Sequence, residues 1–172
     1  MNNKKQGRCT DEERMITIML KKQIILLISL LLLAFSSTAA AANWQWVASD
    51  ENVGVFFDTE SLRFGKIDKL GIDRNIVYVW WYMALDDAFS QKQPYNGEIV
   101  KKIVRYDKLN LNEQTITGLE VILRDADGFI LGQKNNTGTE HIAPDSRAAL
   151  MYSAVKEYAR IHAEEITERS IK

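Results

Sequence analysis

The segment NIVYVWWYMAL, residues 75–85, constrains the fold more than any other part of the sequence. Its β-branched and aromatic residues favour a β-strand, and alternate residues of a strand point to opposite faces. One face would carry Val77, Val79, Trp81 and Met83, and the other would carry Tyr78, Trp80 and Tyr82. A strand with one face in water alternates apolar with polar residues. This strand therefore predicts a sheet that is covered on both faces.

Shorter segments with a two-residue period lie on both sides of this strand along the chain. They cover residues 44–46, 53–58, 98–107, 115–125 and 129–133. Asp127 and Gly128 stand between the last two, and an Asp-Gly pair in that position predicts a two-residue hairpin turn. The pattern predicts an antiparallel sheet of about five to six strands.

The period changes to that of a helix after Pro144. Apolar residues then recur three and four positions apart and form one stripe, which consists of Ala148, Met151, Tyr152, Val155, Tyr158, Ala159 and His162. Pro144 fits the first helical turn, where Asp145 or Ser146 can accept hydrogen bonds from free N–H groups. The stripe ends at His162, so residues 163–172 are expected to fray. The fold class is therefore α+β, with a C-terminal helix packed on one face of the antiparallel sheet.

One helix can cover only one face of the long strand. The face with Tyr78, Trp80 and Tyr82 then has three alternatives for its cover: the loop 86–97, the segment with Trp44 and Trp46, or another molecule. Tyrosine and tryptophan bury well and keep a polar group for a partner, which is why interfaces favour them. These three residues are therefore the candidate interaction surface, for a protein partner or for self-association.

The first part of the chain has the pattern of a secretory signal. Lys21 and Lys22 precede about a dozen apolar residues, 24–35, and Ala40 and Ala42 satisfy the small-residue cleavage pattern. A membrane-spanning helix needs about 20 apolar residues, so an uncleaved anchor is the weaker alternative. Residues 1–18 are polar, and they are interpreted either as a misassigned translation start or as a cytoplasmic tail. The predicted organisation is an extension at 1–18, a signal peptide at 19–42, one domain at 43–163 and a polar tail at 164–172.

Cleavage is predicted at or within one residue of the bond between Ala42 and Asn43. The protein is then exported to the periplasm or the cell surface, with no membrane span after cleavage. N-terminal sequencing or intact mass of the exported protein checks this. A membrane-bound species that still contains residues 24–35 would contradict it.

Charge and cysteine content exclude several classes of function for the mature chain. Residues 1–42 hold six of the 22 Lys and Arg and three of the 23 Asp and Glu, which leaves 16 basic and 20 acidic residues. A net charge near −4 without a basic cluster argues against nucleic-acid binding. The only cysteine is Cys9, so the mature domain has no disulfide and no thiolate nucleophile. About 130 residues suffice for one domain with its own core.

Motifs for catalysis or metal binding are missing from the sequence. His141 and His162 are some twenty residues apart, without the spacing of a ligand pair. Asp125, Asp127 and Gly128 do not fit a calcium loop, because the required carboxylates before and after them are replaced by other residues. No nucleophile elbow, P-loop or dinucleotide motif occurs. The sequence predicts no enzyme, no cofactor and no metal site.

The order of several short motifs resembles the surface-adhesin protein E-like domain family. The motifs are Trp46-Val47, Val55-Phe56-Phe57-Asp58, Ser61-Leu62, Val77-Tyr78-Val79-Trp80, Tyr106-Asp107, Asp127-Gly128 and Ile142-Ala143-Pro144-Asp145-Ser146. The resemblance implies an exported envelope domain of antiparallel strands with a C-terminal helix, sometimes dimeric. Members of that family often carry a cysteine after the Tyr-Asp pair and another in the last helix. This chain has Lys108 at the first of these positions and no cysteine in the helix.

The function that the resemblance implies is non-catalytic binding, as in the founding member, which binds host matrix and serum proteins. The sequence therefore predicts an exported binding module with a role in adhesion or protein binding at the cell envelope. The alternative is a periplasmic structural or accessory protein of the same fold that contacts no host.

Overall fold

The computed structural model of this chain describes residues 42–67, 71–92 and 94–171. The predicted extension and almost all of the predicted signal peptide lie outside these ranges, so the processing of the N-terminus stays a prediction. Within the described ranges, no helix is both long enough and apolar enough to cross a membrane.

Seven strands and three α-helices form the described part of the chain. The strands are β1 (Trp44–Ser49), β2 (Val53–Asp58), β3 (Arg63–Ile67), β4 (Gly71–Leu85), β5 (Lys102–Asn110), β6 (Thr115–Arg124) and β7 (Ile130–His141). The helices are α1 (Asp87–Lys92), α2 (Arg147–Ile161) and α3 (Ala163–Ile171).

The strands form one antiparallel sheet in the order β1-β2-β4-β5-β6-β7, and β3 also pairs with β4. Both β2 and β3 pair with the same edge of β4, because β2 lies opposite its end at Trp81–Leu85 and β3 lies opposite its start at Gly71–Tyr78. A 3-10 turn at Thr59–Ser61 separates them. The N–H of Trp80 faces this gap and donates to Ser61 Oγ at 2.9 Å. The gap in the ladder is therefore closed by a side chain.

The helices α2 and α3 pack on one face of the sheet, where α2 contacts β1 and β2 and α3 contacts β3 and β4. The buried stripe of α2 consists of Met151, Tyr152, Val155 and Ala159. Ser146 Oγ caps this helix by accepting from Ala149 N at 3.1 Å. Pro144 lies before the cap and not in the first helical turn, so that prediction was wrong.

The predicted fraying beyond His162 is also wrong for residues 163–171. They form α3, in which Ile166 is fully buried and Ser170 is 3% exposed. Ser170 Oγ accepts from Phe64 N at 2.8 Å and attaches the helix to β3. Two buried residues four positions apart are too few to give a visible stripe, so the sequence did not reveal this helix.

The predicted fold class is confirmed, and the sheet is larger than predicted. Strand β3 was not singled out in the sequence, and β7 extends to His141 through a polar, exposed segment. The predicted hairpin at Asp127 and Gly128 is present, but its loop spans residues 125–129. Gly128 has a φ of +88° there, which favours glycine.

Candidate interaction surface

The two faces of β4 differ in burial. Val77, Val79 and Trp81 lie under the helices and are at most 2% exposed. Tyr78, Trp80 and Tyr82, the predicted interaction residues, are half-buried on the other face. The structure therefore brings the three predicted residues together on one face, as their spacing requires.

Aromatic rings from neighbouring strands extend this set. Phe56 pairs with Tyr82, and Tyr106 pairs with Trp80. Residues directly opposite each other in an antiparallel pair point to the same face. We call this surface the aromatic face, and it consists of Trp44, Phe56, Tyr78, Trp80, Tyr82 and Tyr106.

The rings of the aromatic face contact one another in two groups. Phe56 stacks on Tyr82 with ring centroids 4.7 Å apart, and the edge of Trp44 meets Tyr82 at the same centroid distance. Trp80 stacks on Tyr106 at 4.9 Å. These contacts cover each ring in part, and all six side chains remain half-buried and not fully buried.

The loop 86–97, one of the three alternatives, has its contacts on the other face of the sheet. A Cβ on Gly132 would meet the ring of Tyr95 at 2.8 Å. Gly132 lies opposite Leu123, and successive strand pairings connect Leu123 across the sheet to the core residue Val55. Gly132 therefore faces the helix-covered side. Phe89 of α1 also packs against the core under the helices. Among the described residues of the internal alternatives, Trp44 covers part of the aromatic face, and Trp46 lies opposite Phe56 on the same side of the sheet but stays 59% exposed.

The charged side chains on the aromatic face are mostly basic. Arg63 and Lys108 lie opposite Tyr78 on the two neighbouring strands, and Lys102 lies opposite Arg124. The Lys102 ammonium lies 3.7 Å from the ring centroid of Tyr82, which is a cation–π distance. Burial, and then the nearby charge of Arg124, lower the pKa of Lys102. An acidic domain therefore presents a basic, aromatic surface.

Burial raises the pKa of the Tyr82 hydroxyl. The pKa of Tyr106 is raised by burial first and by Tyr78 second. An unperturbed tyrosine titrates near pH 10, so both hydroxyls stay protonated at neutral pH. They can therefore donate hydrogen bonds to a ligand.

A buried ionic group lies on the helix-covered side of the same strands. Asp107 is fully buried, and its Oδ2 accepts from Trp81 Nε1 at 2.6 Å. Arg105 Nε lies 3.0 Å from the same oxygen without hydrogen-bond geometry, and Arg105 Nη2 donates to Oδ1 at 3.3 Å. Burial raises the pKa of Asp107, although Arg105 and Trp81 act in the opposite direction.

We expect this raised pKa to make the wild-type protein less stable, relative to Asp107→Asn, as the pH rises. A native pKa above the unfolded value, near 3.9, means that the native state binds more protons, so stability is lost as the pH increases through the native pKa. Denaturant unfolding of both proteins from pH 4 upward measures the difference. A difference that stays constant with pH would contradict the raised pKa.

The histidines do not come together with other ligands in the described part of the chain. His141 is exposed at the end of β7. His162 stacks on Tyr158 with centroids 4.1 Å apart, and its Nδ1 lies 3.3 Å from Glu165 Oε2. Among the residues that the structure describes, no group of three or more His, Cys, Asp or Glu could hold a metal ion.

Apart from Trp44, which was among the alternatives for covering this face, the sequence did not identify the residues that other strands contribute to this surface. Phe56 and Tyr106 alternate with core residues in their own strands, so the two-residue period could have placed both on the face opposite the core. Trp44, Lys102 and Arg124 join them only through the register of the sheet. That register depends on pairings between distant parts of the chain.

Comparison with known proteins gives a remote similarity to a solved structure. No family model matches the sequence, and no curated protein matches it. Among solved structures, the chain is similar to the crystal structure of protein E from non-typeable Haemophilus influenzae, with 12% identity and a TM-score of 0.41. The match covers 78% of this chain and 92% of that chain. The similarity is too low to assign a family.

Proposed function

We propose that this chain is an exported, non-catalytic binding module whose contact surface is the aromatic face. The observation that carries this proposal is the partial exposure of six aromatic side chains on one side of the sheet. The proposed place of action is the cell envelope, where the module binds a partner or a second copy of itself.

The composition of the face supports binding. Interfaces are enriched in aromatic residues and arginine, and rigid aromatic side chains bury much area at little cost in conformational entropy. The aromatic face combines six rings with the basic residues Arg63, Lys102, Lys108 and Arg124. The protonated tyrosine hydroxyls can donate hydrogen bonds to a partner, and the basic groups can pair with its anionic groups.

Site-specific photo-crosslinking in the native cell tests this function. A benzophenone side chain in place of Tyr78 is expected to give a discrete adduct, whereas the same group in place of Ile161 should give none. Ile161 is 61% exposed on α2, so a probe there is at least as accessible to a partner as a probe at the half-buried Tyr78. Twice the mass of the chain would identify self-association, and another mass would identify a different partner. No adduct at Tyr78, or equal adducts at both positions, would contradict the proposal.

The periplasmic accessory role is the alternative within the same fold. It differs from adhesion in location, because an adhesive module must reach the outer surface. Protease treatment of intact cells separates the two, since a surface module is digested and a periplasmic protein is protected.

A Trp80→Ser variant should remain folded and lose the adduct at position 78. Trp80 is half-buried and stacks on Tyr106, so we expect the free energy of unfolding to fall by only about 1–2 kcal/mol. Thermal melting together with the crosslinking yield checks both parts. A fall in stability without a change in the adduct would assign Trp80 to the core alone.

A further inference from the structure

The sheet has one cavity of about 570 Å³ on its helix-covered side and a second cavity on the aromatic face. Two cations without a salt-bridge partner among the described residues line the second cavity. This second cavity measures about 630 Å³ and lies at the end of the face nearest the β6–β7 loop. Trp44 and Tyr82 form its aromatic wall, Lys102 and Arg124 supply positive charge, and the loop residues Asp125 and Asp127 form the far wall. Its volume is within the usual range of small-ligand sites, roughly 300–1,000 Å³.

The two cations lack a compensating anion. Among the described residues, no carboxylate lies within salt-bridge distance of Lys102 or Arg124. By contrast, the neighbouring Lys101 pairs with Asp87. Arg124 Nη1 donates to Gly128 O at 2.7 Å, which fixes the guanidinium beside the loop without neutralising it. Burial, and then the charge of Arg124, lower the pKa of Lys102, and a bound anion would act in the opposite direction.

The opposite wall restricts the kind of anion. Asp125 Oδ1 already accepts from Phe129 N at 2.8 Å, and Asp127 is exposed. These carboxylates would repel a ligand with several negative charges, and they accept hydrogen bonds from hydroxyl groups. A ligand with one carboxylate and several hydroxyls therefore matches both walls, and the apolar face of a sugar ring can lie against Trp44.

We propose that this cavity binds an acidic sugar, with its carboxylate at Lys102 and Arg124 and its hydroxyls toward Asp125 and Asp127. The inference rests on the proposed binding function and gives its ligand a chemical class. The bound carboxylate would form charge-assisted hydrogen bonds to both cations, which are stronger than neutral ones.

Titration of the exported protein with defined oligosaccharides tests the proposal. The probe is a disaccharide of one glucuronic acid and one N-acetylglucosamine, which carries a single carboxylate, followed through the indole N–H resonance of Trp44. We expect saturable binding of this probe, and no binding of the neutral N-acetylglucosamine disaccharide or of a tetraglutamate peptide. Lys102→Gln and Arg124→Gln should each raise the Kd about tenfold. Lys134→Gln, a cation in β7 on the opposite face, is the matched control and should leave the Kd unchanged.

Three results would overturn the acidic-sugar site. They are absence of binding, equal binding of tetraglutamate, and an unchanged Kd in both cavity variants that still melt like the wild type. An adduct at Tyr78 in the crosslinking experiment would then still support the aromatic face as a binding surface. The failure of this inference is therefore distinguishable from failure of the proposed function.

The predicted new N-terminus, Asn43, lies beside the nearly buried carboxylate of Asp58. Asn43 N donates to Asp58 Oδ1 at 2.9 Å, and Asp58 is 8% exposed. Cleavage before Asn43 would turn this peptide nitrogen into an ammonium group at salt-bridge distance from a nearly buried carboxylate. We infer that Asp58 receives the mature N-terminus and attaches β1 to the sheet through a charge pair.

Two forms of the mature chain test this inference, one beginning at Asn43 and one with a single added glycine before it. The added residue keeps the N–H of Asn43 and moves the ammonium away from Asp58. The form beginning at Asn43 should melt about 3–5 °C higher, and Asp58→Asn should remove the difference. Equal melting temperatures of the two forms would refute the pairing.

Discussion

Replacing Trp81 by alanine is expected to lower the free energy of unfolding by about 3–5 kcal/mol. Trp81 is 2% exposed and lies beneath the helices, so its removal leaves a cavity that the surrounding residues cannot fill. The change also removes the indole N–H that donates to Asp107 Oδ2 at 2.6 Å. A buried carboxylate without its donor adds to the loss of stability.

The adjacent tryptophan is the natural control for this prediction. Trp80→Ala should cost about 1–2 kcal/mol, because that ring is half-buried and loses mainly its stacking on Tyr106. Denaturant unfolding of both variants measures the difference between them. Equal losses would mean that the two faces of β4 are covered equally, in conflict with the observed burial.

Val155→Asp is expected to lower the free energy of unfolding by at least about 3 kcal/mol. Val155 is fully buried between α2 and the sheet. A carboxylate there would lose its hydration without gaining a partner, so the helix would separate from the sheet or the protein would unfold.

Ser153→Asp on the exposed side of the same helix is the matched control, since surface substitutions usually change stability by less than about 0.5 kcal/mol. Circular dichroism during thermal melting, recorded for both variants, checks the prediction. If Val155→Asp melted like the wild type, α2 would not be docked on the sheet.

Local sequence patterns were sufficient to predict the fold class. The aromatic and β-branched residues 75–85 predicted the central strand, and the stripe through Met151 and Val155 predicted the docked helix. Both signals follow from geometry within one element, two residues per strand repeat and 3.6 per helical turn. Strand β3 and helix α3 were missed, because each has only two buried residues that a periodic pattern could reveal.

The sequence by itself determined which residues of β4 share a face, so it grouped Tyr78, Trp80 and Tyr82 before any contact was known. It predicted that the helix covers the face with Val77, Val79 and Trp81, but both faces are apolar, so periodicity alone did not decide between them. Only the tertiary structure decided that Val77, Val79 and Trp81 are the buried set. It also brought Lys102 and Arg124 together beside Trp44. The physical reason is that sheet register and helix docking arise from contacts between residues far apart in the chain, whereas periodicity records only neighbours.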